Sequence, residues 1–69
     1  MFAVYVKDKR GEKWFTNIVD TYGKAVNLLH MMYLHAFRFN DMFMGSQVII
    51  EDADSEYVFA HLDIFKEVK

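Results

Sequence analysis

The chain has 69 residues, 54% of them hydrophobic and 17% aromatic, with no cysteine, no proline and a formal charge of −2. These values exclude a disordered chain, which lacks such apolar content, and a disulfide-stapled miniprotein. They also speak against a dedicated binder of duplex DNA, which carries a basic stripe.

One domain over residues 1–69 follows from the length, close to the lower limit for a chain that folds alone. So short a chain cannot bury all of its apolar side chains, and the surplus is expected to form a binding surface. The opening M-F-A-V-Y-V-K is apolar only to Val6 and lacks the basic start of a signal peptide. The most apolar segment, Ala25 to Phe39, is interrupted by Asn27, His30, His35 and Arg38, so no membrane span is expected. A cytoplasmic protein is expected, and the lack of cysteine suits a reducing compartment.

Two strands come first. Phe2 to Lys7 and Lys13 to Val19 are rich in aromatic and β-branched residues and flank the turn D-K-R-G-E. A three-residue loop, Lys9-Arg10-Gly11, with Gly11 in the left-handed region makes a common hairpin. That register sets Val6 against Trp14, Val4 against Thr16 and Phe2 against Ile18 on one face. Tyr5 then meets Phe15, and Ala3 meets Asn17, on the other. A slip of one residue would oppose Tyr5 to Thr16 and Val4 to Asn17, mixing apolar with polar partners.

A helix follows, with Asp20 or Thr21 as N-cap and a periodic run to about Phe39, where Asn40 is a stop signal. At about 100° per residue, Ala25, Val26, Leu29, Met32, Tyr33, Ala36 and Phe37 share one broad face. Met31 and Leu34 fall among the polar residues opposite. The segment Asn40 to Ser46 reads as a loop whose Met42, Phe43 and Met44 could anchor a partner or plug the core.

Gln47 to Glu51 and Tyr57 to Phe65 then form a second hairpin around D-A-D-S. A turn over Ala53-Asp54-Ser55 pairs Ile50 with Val58 and Val48 with Ala60, and on the reverse side Ile49 with Phe59 and Glu51 with Tyr57. The whole is an α+β fold of order β-β-α-β-β: two antiparallel hairpins form one sheet, with a single helix packed on one face. Phe2, Val4, Val6, Trp14, Ile18, Val48, Ile50, Val58, Leu62 and Ile64 make the face for the helix. The other face gathers Tyr5, Phe15, Ile49, Tyr57, Phe59 and His61 among Lys7, Lys13, Gln47, Glu51 and Asp63. An aromatic centre within a charged rim is the composition of a protein interface.

Chemistry-bearing motifs are sparse. The run E-D-A-D-S-E carries Glu51, Asp52, Asp54 and Glu56, but Tyr57 and Asp63 stand where a calcium hand needs glycine and glutamate. It reads as an acidic hairpin tip, solvated or offered to a basic partner. His30 and His35 lie about 140° apart around a helix, unsuited to one zinc ion, and His61 sits on the sheet. Neither Ser46 nor Ser55 lies in a nucleophile elbow, and no phosphate-binding loop occurs. No catalytic residue, metal site or cofactor is expected.

Two readings of function remain. In the first, the chain is a non-enzymatic protein-binding module, a homodimer or a small steric inhibitor or regulator of another protein. It would use the aromatic sheet face and the acidic tip. In size and composition it is similar in general style to small inhibitors and regulators encoded by phages and mobile elements, a likeness that carries no motif. In the second, Tyr5, Phe15, Tyr57 and Phe59 stack the bases of single-stranded nucleic acid, while Lys7, Lys9, Arg10 and Lys13 meet its phosphates.

Overall fold

Residues 1–39 and 45–64 are described by the computed structural model, with helix side chains as far as His35. Met42, Phe43, Met44 and Phe65, and the side chains of Ala36 and Phe37, lie outside the described residues. The elements are β1 (Phe2–Lys7), β2 (Lys13–Val19), α1 (Tyr22–Phe39), β3 (Gln47–Asp52) and β4 (Val58–Asp63). They form the α+β arrangement anticipated from the periodicity: one four-stranded antiparallel sheet, in the order β2-β1-β3-β4, and a single helix. Since β1 runs antiparallel to both β2 and β3, those two are parallel to each other, and α1 joins them across β1. This crossover resolves the strand order, which the two hairpins alone leave open.

The first turn is built by Asp8. Its Oδ1 accepts the N–H groups of Arg10 and Glu12, both at 2.9 Å, and its Oδ2 accepts the Trp14 indole N–H at 2.9 Å. Gly11 completes the loop at φ 88°, the left-handed conformation that glycine adopts without steric cost. The predicted register holds beside this turn, where Val6 faces Trp14, and then breaks. Phe15 takes φ 58° and the ladder shifts between Val4 and Val6, so that Val4 faces Asn17, Ala3 faces Ile18 and Phe2 faces Val19. The extra residue of a β-bulge reverses the side chains beyond it. Ile18, expected in the core, is therefore turned to the other face and 56% exposed, while Val19 packs against the core.

A second irregularity lies in the other edge strand. The turn holds four residues rather than three: the Asp52 N–H bonds to the Tyr57 carbonyl, and Glu56 takes φ 62° without being glycine. Glu51 then faces Val58, the ladder shifts, and Ile50 faces Ala60 and Val48 faces Leu62. The expected pairing of Ile50 with Val58 is thus displaced by two residues, which keeps Ala60 and Leu62 on the helix side. Val58 is the casualty, opposite Glu51 and 46% exposed rather than in the core.

Thr21 is the N-cap of α1, its Oγ1 accepting the Lys24 N–H at 3.2 Å and its carbonyl the Ala25 N–H at 3.1 Å. Asp20 pairs instead with Lys24 four residues on, at 2.9 Å, an exposed contact that solvent screens. The inner stripe of Ala25, Leu29 and Met32 meets Val4, Val6, Val48, Ile50 and Ile64 to form the core. Met31 and Leu34 remain on the outer side, 57% and 56% exposed.

Ile50 has no solvent exposure and sits at the centre of this small core. Ile50→Ala is expected to cost about 2–5 kcal/mol, through lost transfer energy and an unfilled cavity. Val58→Ala, at the surface despite its strand position, is expected to stay within about 1 kcal/mol of the parent. Urea unfolding of the two variants followed by circular dichroism checks this, and equal losses would contradict the observed register.

Candidate protein-binding surface

Consecutive residues of both central strands are buried, Ala3 to Val6 in β1 and Val48 to Glu51 in β3. Their side chains alternate between faces, so the sheet is sheltered on the side away from the helix as well. Tyr5 and Ile49, expected on an open contact face, are 3% and 5% exposed and form part of the protein's own interior. Glu51 belongs to the same layer rather than to the acidic tip.

That burial of a carboxylate is compensated locally. The Tyr5 hydroxyl donates to Glu51 Oε2 at 3.0 Å, and Lys13 Nζ donates to Oε1 at 3.2 Å while lying 4.8 Å from the centre of the Tyr5 ring. An unpaired carboxylate here would carry a large desolvation cost, and these two partners together with the cation–π contact offset it. Burial first, then the hydrogen bond to Glu51 and its charge, push the Tyr5 phenol up to about 12. The sequence places Tyr5, Lys13 and Glu51 on one face, and the structure brings them into contact.

The other predicted contact residues separate. Tyr57 and Phe59 leave the far face, because the turn and the irregularity beside it redirect them towards the start of the helix. Phe59 packs edge-on to Phe2 at 5.3 Å and to Tyr57 at 5.1 Å, and Tyr22 approaches Phe2 at 5.6 Å and Phe59 at 6.2 Å. Such geometries let the positive edge of one ring meet the negative face of the next. The rings stay wet nonetheless: Tyr57 is 65% exposed, Phe59 45% and Tyr22 43%. Met1 extends the patch, its carbonyl accepting the Ala53 N–H at 3.1 Å. Phe2 and Tyr22 were not foreseen as members, since only the irregular end of β4 brings them to Phe59.

Phe15 remains an exposed ring on β2, 6.2 Å from Trp14, and His61 is exposed opposite Ile49 on β4. These two are not joined to the aromatic patch. The acidic tip consists of Asp52, Asp54 and Glu56 at the patch's border. Asp52 is occupied within its own turn: the Ser55 hydroxyl and the Asp54 N–H donate to it and hold its carboxyl below the usual range. Asp54 and Glu56 are exposed and join this turn through their backbone N–H groups, both of which donate to Asp52.

Strand register places the two turns at opposite ends of the sheet, for Phe2 aligns with Asp52 whereas Lys7 aligns with Lys13 and Gln47. The aromatic patch therefore lies at the acidic end, and Lys7, Lys9 and Arg10 at the other. Among the described residues no three histidine, aspartate or glutamate side chains come together as a metal-binding group, and no helix is long and apolar enough to cross a membrane. Compared with known proteins, the chain matches no family model, none of the curated proteins and none of the solved structures.

The raised Tyr5 value fixes a pH dependence. Between the ordinary value of 10.0 and about 12 the folded state keeps a proton that the unfolded chain has lost. The stability from this group is complete below pH 10 and disappears as the pH climbs towards 12. Absorbance titration at high pH is expected to show one of the four tyrosines ionising late. Glu51→Gln is expected to lower that midpoint without fully normalising it, since burial is the larger cause. Four tyrosines titrating together in the folded parent would contradict the Tyr5–Glu51 contact.

Proposed function

We propose that this chain is a non-catalytic protein-binding module whose contact surface is the aromatic patch of Tyr57, Phe59, Tyr22 and Phe2, bordered by Asp54 and Glu56. The observation that carries the reading is the exposure of three rings, 43% to 65%, with Phe59 packed against both Tyr57 and Tyr22, in a chain that buries Tyr5 and Ile49 itself. Rings already packed on one another lose little conformational freedom on binding, and tyrosine is enriched among residues that dominate interface energy. The mechanism is steric and needs no reaction: the patch occupies a surface that its partner would otherwise present to another ligand.

Single-stranded nucleic acid fits less well. Stacking platforms work when basic side chains follow the backbone past them. Here the exposed rings are bordered by carboxylates, Tyr5 is buried beneath Lys13, and the lysines of the first turn lie at the far end of the strands. The edge strands are also poor candidates for strand addition, because both carry register shifts that interrupt a regular ladder.

Tyr57 is the ring most separable from the fold, since it is the most exposed of the cluster and packs edge-on to Phe59. Tyr57→Glu is expected to abolish partner binding or self-association, measured by light scattering and by pull-down with the purified chain. Its cooperative thermal melt should survive. A single-stranded oligonucleotide is expected to show no mobility shift at low salt. A salt-sensitive shift, or binding that withstands Tyr57→Glu, would overturn the proposal.

A further inference from the structure

We infer that the aromatic–acidic end takes an arginine-bearing segment of another protein, its guanidinium lying over the exposed rings and pairing with Asp54 and Glu56; the inference rests on the binding-surface reading above. Two features that favour a cation lie side by side at this end. The first is the ring cluster. Tyr57 and Tyr22 stand at 69° and 72° to Phe59, so ring faces open in more than one direction, and all three rings are exposed. The face of an aromatic ring is its negative side and attracts a cation.

The second is the charge balance. Among the described residues this end carries the carboxylates of Asp20, Asp52, Asp54 and Glu56. Opposed to them are Lys24, already paired with Asp20 at 2.9 Å, and the amine of Met1, whose carbonyl accepts the Ala53 N–H. The end stays negative when both cations are counted. Asp54 and Glu56 make no ion pair among the described residues, and both are exposed beside Tyr57. The opposite end has no matching excess of cations: Lys7, Lys9 and Arg10 stand with Asp8, Glu12 and Asp63, and Lys13 is paired with Glu51. Complementarity therefore points to a different protein rather than to a second copy of this chain.

The turn that presents these carboxylates is held in place. The Asp52 N–H bonds to the Tyr57 carbonyl at 2.7 Å and the Glu56 N–H to the Asp52 carbonyl at 3.0 Å. The Asp52 carboxylate in turn accepts the N–H groups of Asp54 and Ser55. Acceptors and rings offered from an ordered loop lose less freedom when a partner docks. Arginine suits both features better than lysine. Its guanidinium is planar and weakly hydrated, so a face stacks on a ring while an edge donates to a carboxylate. Lysine is a strongly hydrated point charge and gains less from the rings.

The test titrates the intact, isotope-labelled chain with short glycine–serine peptides carrying arginine, lysine or glutamate, and follows amide chemical shifts at low salt. The arginine peptide is expected to move the resonances of Asp54 to Phe59 and of Tyr22 first. It is expected to bind about threefold more tightly than the lysine peptide, and the glutamate peptide is expected to move none of these resonances. Asp54→Asn with Glu56→Gln is expected to weaken arginine-peptide binding about fivefold, and raising the salt is expected to weaken it as well. Tyr57→Leu leaves every charge in place and is expected to cost about threefold through the lost ring face. All three positions are exposed, and circular dichroism melts establish that the variants fold. Lys9→Gln with Arg10→Gln, at the opposite end, is expected to change nothing. Shifts centred elsewhere, or an equal response to all three peptides, would overturn the inference while leaving the aromatic surface open to an uncharged partner. Binding at the tip that ignores Tyr57→Leu would overturn it together with the role of the rings. A parent that sediments as a dimer, and as a monomer once Tyr57→Leu is introduced, would assign the patch to a second copy and overturn the choice of occupant.

Discussion

Burial of the two central strands on both faces is the constraint around which this molecule is arranged. One helix shelters one side of the sheet, through Ala25, Leu29 and Met32. The opposite side holds a carboxylate out of water, and Glu51 is tolerable there only because Tyr5 and Lys13 both donate to it. Leaving a buried acceptor without a partner costs about 1–3 kcal/mol, and more for a charged group. In a domain whose total stability is of that same order or a few times larger, this network matters to whether the chain folds. It also withdraws Tyr5 and Ile49 from the outer surface.

The surplus of apolar side chains is therefore smaller than the composition suggests, but it is not absorbed. It is relocated by irregularities in the two edge strands. The left-handed Phe15 turns Ile18 outward and brings Val19 in, and the four-residue turn ending at Glu56 sends Phe59 to Phe2 and Tyr22. A bulky residue at positive φ is uncommon and opposed by steric contact, so such positions are held by their surroundings. Interrupted ladders on both edges discourage indiscriminate strand pairing. What stays available is a packed cluster of rings at one end of the sheet. That favours a surface recognised through side chains over one recognised through backbone.

Charge follows the same axis. The second turn is acidic and the first is formally balanced, and the antiparallel register of β1 and β3 places Lys7 and Asp52 at opposite ends. Asp8 and Asp52 both shape their own loops by accepting hydrogen bonds from neutral donors, which favour the ionised carboxylate and leave it its charge. A net charge of −2 conceals this division. The exposed rings Tyr57, Phe59 and Tyr22 share one end with Asp54 and Glu56, while Lys7, Lys9 and Arg10 lie at the other with Glu12 and Asp63, and that separation of rings from cations weighs on the choice between a protein and a nucleic acid as partner.

The sequence by itself determined the five elements and their order, the Gly11 turn and most of the helix-facing core, because these follow from local propensity and from periods of two and about 3.6 residues. It also placed Lys13 and Glu51 on a common face. Only the tertiary structure decided that Ile18 and Val58 face solvent, that Tyr5 is interior, and that Phe59 belongs with Phe2 and Tyr22. The physical reason is that one added residue in a strand reverses every side chain beyond it. Neither Phe15 nor Glu56 announces a left-handed backbone as glycine would, since that conformation is imposed by the packing of the whole sheet.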